Sequence, residues 1–422
     1  MKFTRRNWIT LAGGAAIAAT LPRPLRAATA DAAQPLIRDL EHPLFDIPRQ
    51  IAAPARIASI ELLRGGTGYF VRARSTDGAE GLVATKQIAE FVPIFEKLVA
   101  PHFIGKDARD IEALVDSVYR DHYKNAGLPF WCPVAYVEQS LLDMLGKIAR
   151  KPVCELLGGA WRDEIPVYLS GSARTLPAEE EVAIYERGVA ETGAQAVKFK
   201  IGGRMSRNLD AAPGRTEKLL RLAREKLGPG VSLMADANGS YDPEKAIEIG
   251  LLMESLDYAF FEEPCPWENL SETQQVARAL KIPVACGEQD SSLWRFRWML
   301  ENGVMDIVQP DINYNGGFIR AKRVARIAEK LGRAIVPHNT QTGPASVNIL
   351  HFAACTPNAT PLMEYPWRAP RKPASWYKPD FKITGGKIRV PKTPGLGVEF
   401  DADFIAKAKT VATITHKGKA SW

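Results

Sequence analysis

Three carboxylates recur at one fixed interval in the middle of the chain. Asp236, Glu262 and Glu288 lie 26 residues apart, from 236 to 262 and again from 262 to 288. Each follows a short apolar run, and amphipathic segments separate the runs, which is typical of parallel strands alternating with helices. One strand and one helix fit each interval, so consecutive strands would each carry a carboxylate at the carboxyl end. A barrel of such strands gathers these groups at its mouth, where barrel enzymes have their active sites.

Other chemically capable residues end further apolar runs of the same kind. Lys198 and Lys200 end the run before Asp236, while Asp311, His338 and Glu364 end three later runs. The predicted barrel strands end near Ser170, Lys200, Asn238, Glu263, Glu288, Asp311, Asn339 and Tyr365. All these side chains are therefore expected at one end of the barrel. Three carboxylates there suit a hard cation such as Mg²⁺, which prefers oxygen ligands and retains open positions for water or substrate.

The segments on either side of this barrel follow a different pattern. Strand-like runs from residue 57 to residue 83 come first, and segments with helical spacing then continue to residue 150. Runs of strands followed by runs of helices indicate an α+β unit. We therefore predict a capping domain over 31–160, a barrel over 161–366, and a tail over 367–422 whose strand-like segments return to complete the cap.

The first thirty residues have the features of a targeting signal. The twin arginine Arg5-Arg6 precedes an apolar run from 11 to 21, and Ala28-Thr29-Ala30 is a small-x-small cleavage site. The run is too short to span a bilayer, although it could also serve as an anchor or a disordered leader. We expect segment 1–30 to be a twin-arginine signal peptide, which exports proteins already folded, and the mature protein to be periplasmic and free of the membrane.

Charge and cysteine content exclude other classes of protein. The formal net charge is +7, but five cations and no acid lie in the first thirty residues, so the remainder carries about +2 (7 − 5). A nucleic-acid partner is therefore not expected. The five cysteines are odd in number and show no close spacing, so we interpret them as core residues and not as a disulfide framework.

Taken together, these motifs resemble the mandelate racemase subgroup of the enolase superfamily. The match rests on Lys198-Phe199-Lys200, Asp236-Ala237-Asn238, Glu262-Glu263-Pro264, Gly287-Glu288, Gln309-Pro310-Asp311, His338 and Glu364. The resemblance implies an α/β fold, a modified (β/α)7β TIM barrel with an α+β capping domain formed by the N-terminal region and the C-terminal tail. It also implies one Mg²⁺ and abstraction of a proton α to a carboxylate by a Lys or His base.

The resemblance also assigns roles to these residues. Asp236, Glu262 and Glu288 would bind the metal, and Glu263 would point to the opposite face of its strand. Lys200 would be one base, and Lys198, two residues away on the same side, would pull its amine pKa down. His338 would face it across the barrel, oriented by Asp311. A protonated Glu364 would donate a hydrogen bond to the substrate carboxylate.

The substrate is predicted from the polarity of the rim. Arg204 or Arg207 lies on a long connection after Lys200, Asn238 lies beside the metal site, and Trp367 is a candidate contact from the last strand. A polar rim favours a polyhydroxylated acid. We expect dehydration of an aldonate or aldarate to a 2-keto-3-deoxy acid, with racemisation or epimerisation of a 2-hydroxy acid as the alternative. An inactive periplasmic acid-sugar binding protein is a remote alternative. We also expect a homo-oligomer whose only other partner is the small carboxylate substrate.

Overall fold

The structure is a computed structural model that describes residues 43–66, 68–86, 88–171, 173–367 and 374–415. The expected signal segment 1–30 lies outside them. Within the described ranges, the helices are all too short or too polar to cross a membrane.

The chain begins with the α+β cap. Its elements in order are helix α1 (Ile47–Gln50), strands β1 (Ile57–Gly65), β2 (Gly68–Ser75) and β3 (Glu80–Ala84), and helices α2 (Val92–Ile94), α3 (Ala100–Phe103), α4 (Ile111–His122), α5 (Leu128–Ala149) and α6 (Val153–Leu156). The order of strands and then helices agrees with the sequence pattern. Helix α5 begins at Leu128, and Pro129 is compatible with its first helical turn.

The barrel follows as eight parallel strands separated by seven helices. Its elements are β4 (Glu164–Ser170), α7 (Ala178–Thr192), β5 (Ala196–Lys200), α8 (Arg215–Leu227), β6 (Ser232–Asp236), α9 (Pro243–Ser255), β7 (Phe260–Glu262), α10 (Leu270–Ala279), β8 (Val284–Cys286), α11 (Leu293–Glu301), β9 (Ile307–Val308), α12 (Phe318–Lys330), β10 (Ala334–Ile335), α13 (Val347–Ala354) and β11 (Met363–Pro366). The strands pair in the order β10-β9-β8-β7-β6-β5-β4-β11. This alternation confirms the predicted (β/α)7β barrel.

The tail contacts both parts of the molecule. Its elements are β12 (Tyr377–Lys378), β13 (Lys387–Arg389), β14 (Glu399–Phe400), α14 (Ala402–Ala406) and β15 (Lys409–Thr415). Strand β15 pairs antiparallel with β1 and so joins the cap sheet. Strand β13 instead pairs antiparallel with barrel strand β4, and residues 381–383, which read as strand-like, form no strand. The tail is therefore shared between cap and barrel and does not belong to the cap alone.

Helix α5 fixes the cap against the barrel. Every residue from 130 to 146 is buried, so this helix forms the centre of the joint. Strand β3 approaches it so closely that a Cβ on Gly81 would lie 1.9 Å from the carbonyl oxygen of Ser140. The buried carboxylate of Asp143 accepts hydrogen bonds from Leu82 N (2.9 Å) and Leu396 N (2.7 Å). These contacts hold the end of β3 directly above the barrel mouth.

Candidate active site

The three regularly spaced carboxylates meet at the carboxyl end of the barrel. Asp236 pairs with Glu262 in the register of β6 and β7, and Glu288 follows β8. One oxygen from each carboxylate lies within 4.8 Å of the others. Gly287, with φ 115, allows the turn that directs Glu288 inward, since this conformation is unfavourable for any residue with a Cβ.

This cluster fits a hard divalent cation. Its donors are all carboxylate oxygens, the set that Mg²⁺ prefers. Burial raises the pKa of Glu262 to about 8, although the charge of Lys198 opposes this shift. The Oε2 atom of Glu288 is buried and receives no hydrogen bond, although His338 Nε2 lies 3.2 Å away. A cation bound by Asp236, Glu262 and Glu288 would offset the buried negative charge of Glu262 and would give Glu288 Oε2 a partner.

The two lysines of β5 both contact this cluster. Lys198 is fully buried, and its Nζ lies 2.6 Å from both carboxylate oxygens of Glu262 and 2.9 Å from Glu364 Oε1. Lys200 Nζ contacts Asp236 Oδ2, and of the two lysines only Lys200 lines the pocket. Burial alone would lower the pKa of Lys200, but the charge of Asp236 raises it above its ordinary value. The expected depression of this pKa by Lys198 is therefore outweighed by the carboxylates in this structure.

His338 and Asp311 form a pair on the opposite wall. His338 Nδ1 lies 2.8 Å from Asp311 Oδ2, and Nε2 faces Glu288. Because a carboxylate only accepts, Asp311 holds the proton on Nδ1 and leaves Nε2 directed into the site. Burial would lower the pKa of His338, but Glu288 and Asp311 raise it. The pair has the geometry of an acid or base oriented by a carboxylate.

Glu364 lies beside Lys198 at the barrel mouth, and its proposed hydrogen bond to a substrate carboxylate stays a prediction. Its Oε2 accepts a hydrogen bond from Asn339 N at 2.9 Å, and its Oε1 faces Lys198. Burial would raise the pKa of Glu364, but the charges of Lys198 and His338 lower it below the ordinary value. Lys198 lies between this carboxyl group and that of Glu262.

Glu263 reaches the pocket, contrary to the expectation that it points to the opposite face of its strand. Strand β7 ends at Glu262, and Glu263 adopts a left-handed conformation with φ 42 that turns its side chain back. Its Oε2 accepts hydrogen bonds from Asn238 Nδ2 at 3.1 Å and Gln289 Nε2 at 3.2 Å. Its Oε1 is buried with no hydrogen-bond partner.

A pocket of about 350 Å³ opens above these groups. Of the three predicted substrate contacts, Asn238 and Arg204 line it and Trp367 does not. Asn238 is held by Arg174, whose Nη2 donates to its Oδ1 at 2.8 Å. Trp367 instead packs against α7, where its carbonyl accepts from Tyr185 Oη at 3.1 Å. The prediction for Trp367 is therefore wrong, because the chain leaves β11 toward the outer helices.

Sequence reasoning also missed several residues at the mouth. Met205 and Trp267 line the pocket, and Lys86 reaches the site from the cap. Arg174 and Trp267 follow barrel strands β4 and β7, so the rule that strand ends carry the site could have found them. Met205 follows β5 at a similar distance and could have been found in the same way, whereas Lys86 of the cap gave no such signal.

A second cavity lies at the other end of the barrel. Its volume is about 780 Å³, and its lining comes mainly from residues 378–399 of the tail. Glu164, the first residue of β4, also lines it, which places it at the amino end of the strands. None of the predicted site residues contributes to this cavity.

The site matches a known class of enzyme. A (β/α)7β barrel with three carboxylates between a lysine and a histidine–aspartate pair is the arrangement that the resemblance to the mandelate racemase subgroup implied. Residues 45–158 match the N-terminal domain of the mandelate racemase / muconate lactonizing enzyme family, and residues 180–404 match the enolase C-terminal domain-like family. The chain therefore belongs to the mandelate racemase/muconate lactonizing enzyme family.

Characterised relatives within this family act on acid sugars or their lactones. Arabinonate dehydratase of Saccharolobus solfataricus is 29% identical over 72% of this chain and 79% of its own. D-galactarolactone cycloisomerase of Agrobacterium fabrum is 31% identical over 72% of this chain and 81% of its own. The structure of a mandelate racemase/muconate lactonizing protein from Paracoccus denitrificans, complexed with magnesium, is 28% identical and superposes with a TM-score of 0.78, covering 84% of this chain and 99% of that one.

Proposed function

We propose that the protein is a Mg²⁺-dependent acid-sugar dehydratase that removes the proton α to the substrate carboxylate. The main support for this proposal is that two groups able to transfer protons lie on either side of the three carboxylates. Lys200 contacts Asp236 and His338 contacts Glu288, and both line the same pocket. They come from β5 and from the loop after β10, which are far apart in the strand order and so lie on opposite walls.

Bound Mg²⁺ would supply the positive charge that stabilises the enolate while it forms. In the first step, the α C–H bond breaks and the proton passes to Lys200 Nζ or to His338 Nε2. Which group accepts it depends on the configuration at the α-carbon. The electron pair of that bond moves into the carboxylate, giving an enolate. Lys198 lies between the Glu262 and Glu364 carboxylates and keeps them in place.

In the second step, the electron pair of the enolate forms the α–β double bond and the β C–O bond breaks. The residue on the opposite side donates a proton to the leaving hydroxyl, so that water departs. The enol product then tautomerises to a 2-keto-3-deoxy acid. His338 is suited to this donation because Asp311 holds its Nδ1 and leaves Nε2 facing the pocket.

The polarity of the pocket supports a polyhydroxylated acid, an aldonate or aldarate, as substrate. Glu263 Oε1 and Gln289 Oε1 are buried acceptors without partners, so hydroxyl donors would satisfy them. Arg204, on the pocket rim, could meet a second carboxylate or a hydroxyl oxygen. The names of the relatives, arabinonate dehydratase and D-galactarolactone cycloisomerase, point to the same substrate class.

Racemisation or epimerisation of a 2-hydroxy acid is the second candidate. The same pair favours it, because the residue opposite the base could return a proton to the α-carbon instead of to the leaving hydroxyl. An inactive binding protein is a weaker candidate, since binding alone does not need both the lysine and the histidine pair. We also propose a periplasmic location, on the basis of the twin arginine, and a homo-oligomeric state.

Half-reactions test the assignment of the two bases. Aldonates and aldarates are screened with MgCl₂, and 2-keto product and α-deuterium uptake from D₂O are both measured. Lys200→Ala and His338→Asn should each lower turnover by about 10²- to 10⁴-fold, the contribution expected of a general acid or base. On an epimer attacked by Lys200, His338→Asn should still allow exchange and Lys200→Ala should not. On the opposite epimer, the two variants should exchange roles.

A dehydratase loses the β-hydroxyl before the enolate can take up deuterium unless that loss is slow. The measured product therefore distinguishes dehydration from epimerisation. The double variant tests whether Lys200 and His338 are the bases. Undiminished exchange in the Lys200→Ala, His338→Asn double variant would refute both assignments.

A further inference from the structure

Lys86, which follows β3 in the cap, reaches across the cap–barrel boundary to the histidine–aspartate pair. Its Nζ lies 2.9 Å from Asp311 Oδ2 and 3.9 Å from the centre of the Tyr314 ring. Its backbone N donates to Tyr136 Oη of α5 at 3.0 Å, so the residue is held at both ends. Only 10% of the side chain is exposed. A lysine buried this far is not an ordinary surface group.

The carboxylate that Lys86 contacts is held by four donors. Asp311 Oδ1 accepts from Asn313 N at 2.8 Å and Tyr314 N at 3.2 Å. Asp311 Oδ2 is shared between Lys86 Nζ and His338 Nδ1. Because Lys86 and His338 bind the same oxygen, the position of the ammonium group limits where that oxygen can lie. The orientation of the imidazole therefore depends on a residue of the cap.

Among the described residues, the lysine on the other wall has its hydrogen-bond partners within the barrel. Lys200 contacts Asp236, and its carbonyl accepts from Arg215, a barrel residue at the start of α8. A change at Lys86 should thus act on one of the two proton-transfer groups and not on the other.

We propose that Lys86 is a positioning residue through which the docked cap orients His338, so that cap contacts control the His338 half of the reaction and leave the Lys200 half unchanged. This inference rests on the proposed function, in which both residues transfer protons.

The variants are chosen to separate charge, size and general loss of stability. Lys86→Met removes the ammonium group and retains the length of the side chain, while Lys86→Arg retains a cation. Lys392→Met is the control, because Lys392 Nζ pairs with Asp163 Oδ2 at 3.1 Å and lines the cavity at the opposite end of the barrel. Thermal melting of each Mg²⁺-loaded variant shows whether it has folded.

The first measurement compares two epimers. D-arabinonate and its C2 epimer D-ribonate are incubated with MgCl₂ in D₂O, and deuterium uptake at C2 and product formation are followed by NMR. Lys200→Ala and His338→Asn identify which epimer depends on which residue. Lys86→Met should slow the His338-dependent reaction by about 10- to 100-fold, the usual effect of losing such a supporting contact, and change the Lys200-dependent reaction by less than about twofold. Lys86→Arg should recover part of the loss. The proposal would be overturned if Lys86→Met slowed the reactions of both epimers equally, or slowed neither of them.

A second measurement does not need turnover. In histidine-¹⁵N-labelled, Mg²⁺-loaded protein, the Nδ1–H signal of His338 is identified by its loss in His338→Asn. It should shift or broaden in Lys86→Met and remain in place in Lys392→Met. An unchanged signal in Lys86→Met would overturn the positioning role. If the wild type neither exchanges nor dehydrates any acid sugar, the proposed function has failed, and this signal still decides the role of Lys86.

Discussion

At the scale of single residues, one backbone angle determines what the end of β7 offers to the pocket. Consecutive side chains of a strand point to opposite faces, so Glu262 and Glu263 should not both reach the mouth. The left-handed backbone of Glu263, with φ 42, brings the second side chain back beside the first. Such a conformation costs about 1–3 kcal/mol and concentrates at functional sites. Asn238, the partner of Glu263, shows the same feature with φ 43.

The first residue-scale prediction concerns the metal ligands. Asp236→Asn retains the shape of the side chain but removes one of three negative charges, so Mg²⁺ affinity should fall by about 100-fold or more and turnover should be lost. Titration calorimetry with MgCl₂ measures the affinity, and circular dichroism shows whether the fold survives. Glu244→Gln, at an exposed acid in the first turn of α9, is the control and should bind Mg²⁺ as the wild type does. Full activity in a chelated, metal-free sample would contradict the prediction.

The positions of the three carboxylates and of the two proposed bases, Lys200 and His338, were predictable. They follow from the period and the ends of the strands, which are local properties of the sequence. The direction of the Glu263 side chain was not predictable, because a single backbone dihedral angle decides it. The position of Trp367 was not predictable either, because it depends on packing against α7. Lys86 and Asp311 are 225 residues apart, and no local pattern indicates that they meet.

At the scale of elements, the long connection between β5 and β6 accounts for the extra length noted in the sequence. Between Lys200 and the start of α8 it contains six residues with left-handed backbones, namely Gly202, Arg204, Met205, Arg207, Asn208 and Gly214. The hydrogen bonds that tie it to the segment after β6 include those from Arg204 N to Ser240 Oγ at 2.9 Å and from Met205 N to Asn238 O at 3.0 Å. This path brings Arg204 to the pocket and leaves Arg207 outside its lining, a choice that the sequence left open.

A buried histidine joins its own helix α13 to helix α6 and to the tail. His351 of α13 donates through Nε2 to Leu396 O of the tail at 3.0 Å, and its Nδ1 accepts from Cys154 N of α6 at 3.3 Å. These two bonds require the neutral ring protonated at Nε2. Burial lowers the pKa of His351 to about 4 from its ordinary value of 6.5.

The element-scale prediction follows from this shift. A histidine with a lowered pKa in the folded state favours folding above pH 6.5, and this contribution is lost as the pH falls toward 4. The loss should amount to about 3 kcal/mol in the free energy of unfolding. His351→Gln can retain a donor and an acceptor but cannot titrate, so the pH dependence of its unfolding in urea should lack this step. His122→Gln, at a half-buried histidine, should retain the wild-type profile. Identical profiles for wild type and His351→Gln would show that His351 does not titrate in this way.

At the scale of the whole molecule, the two ends of the described chain meet in one sheet. Ser59 of β1 pairs with Thr415 of β15, and the cap sheet has the order β15-β1-β2-β3. The sequence predicted the barrel and a tail that returns to the cap, because alternation and strand-like runs can be read locally. It did not predict that β13 would pair with β4, since choosing a partner strand depends on long-range register. The cap can close only after residue 415 has been synthesised.

This late closure leads to the last prediction, which concerns export. A chain whose first and last strands pair must fold after synthesis, and the twin-arginine route that we propose for it exports proteins already folded. Changing Arg5→Lys and Arg6→Lys should therefore leave folded protein in the cytoplasm of a host with an intact twin-arginine pathway. Arg23→Lys with Arg26→Lys, in the same segment but outside the twin pair, should retain normal periplasmic yield. Blotting of periplasmic and cytoplasmic fractions measures the distribution, and thermal melting of the retained protein shows that it has folded. Unchanged periplasmic yield after the Arg5→Lys, Arg6→Lys change would rule out this route.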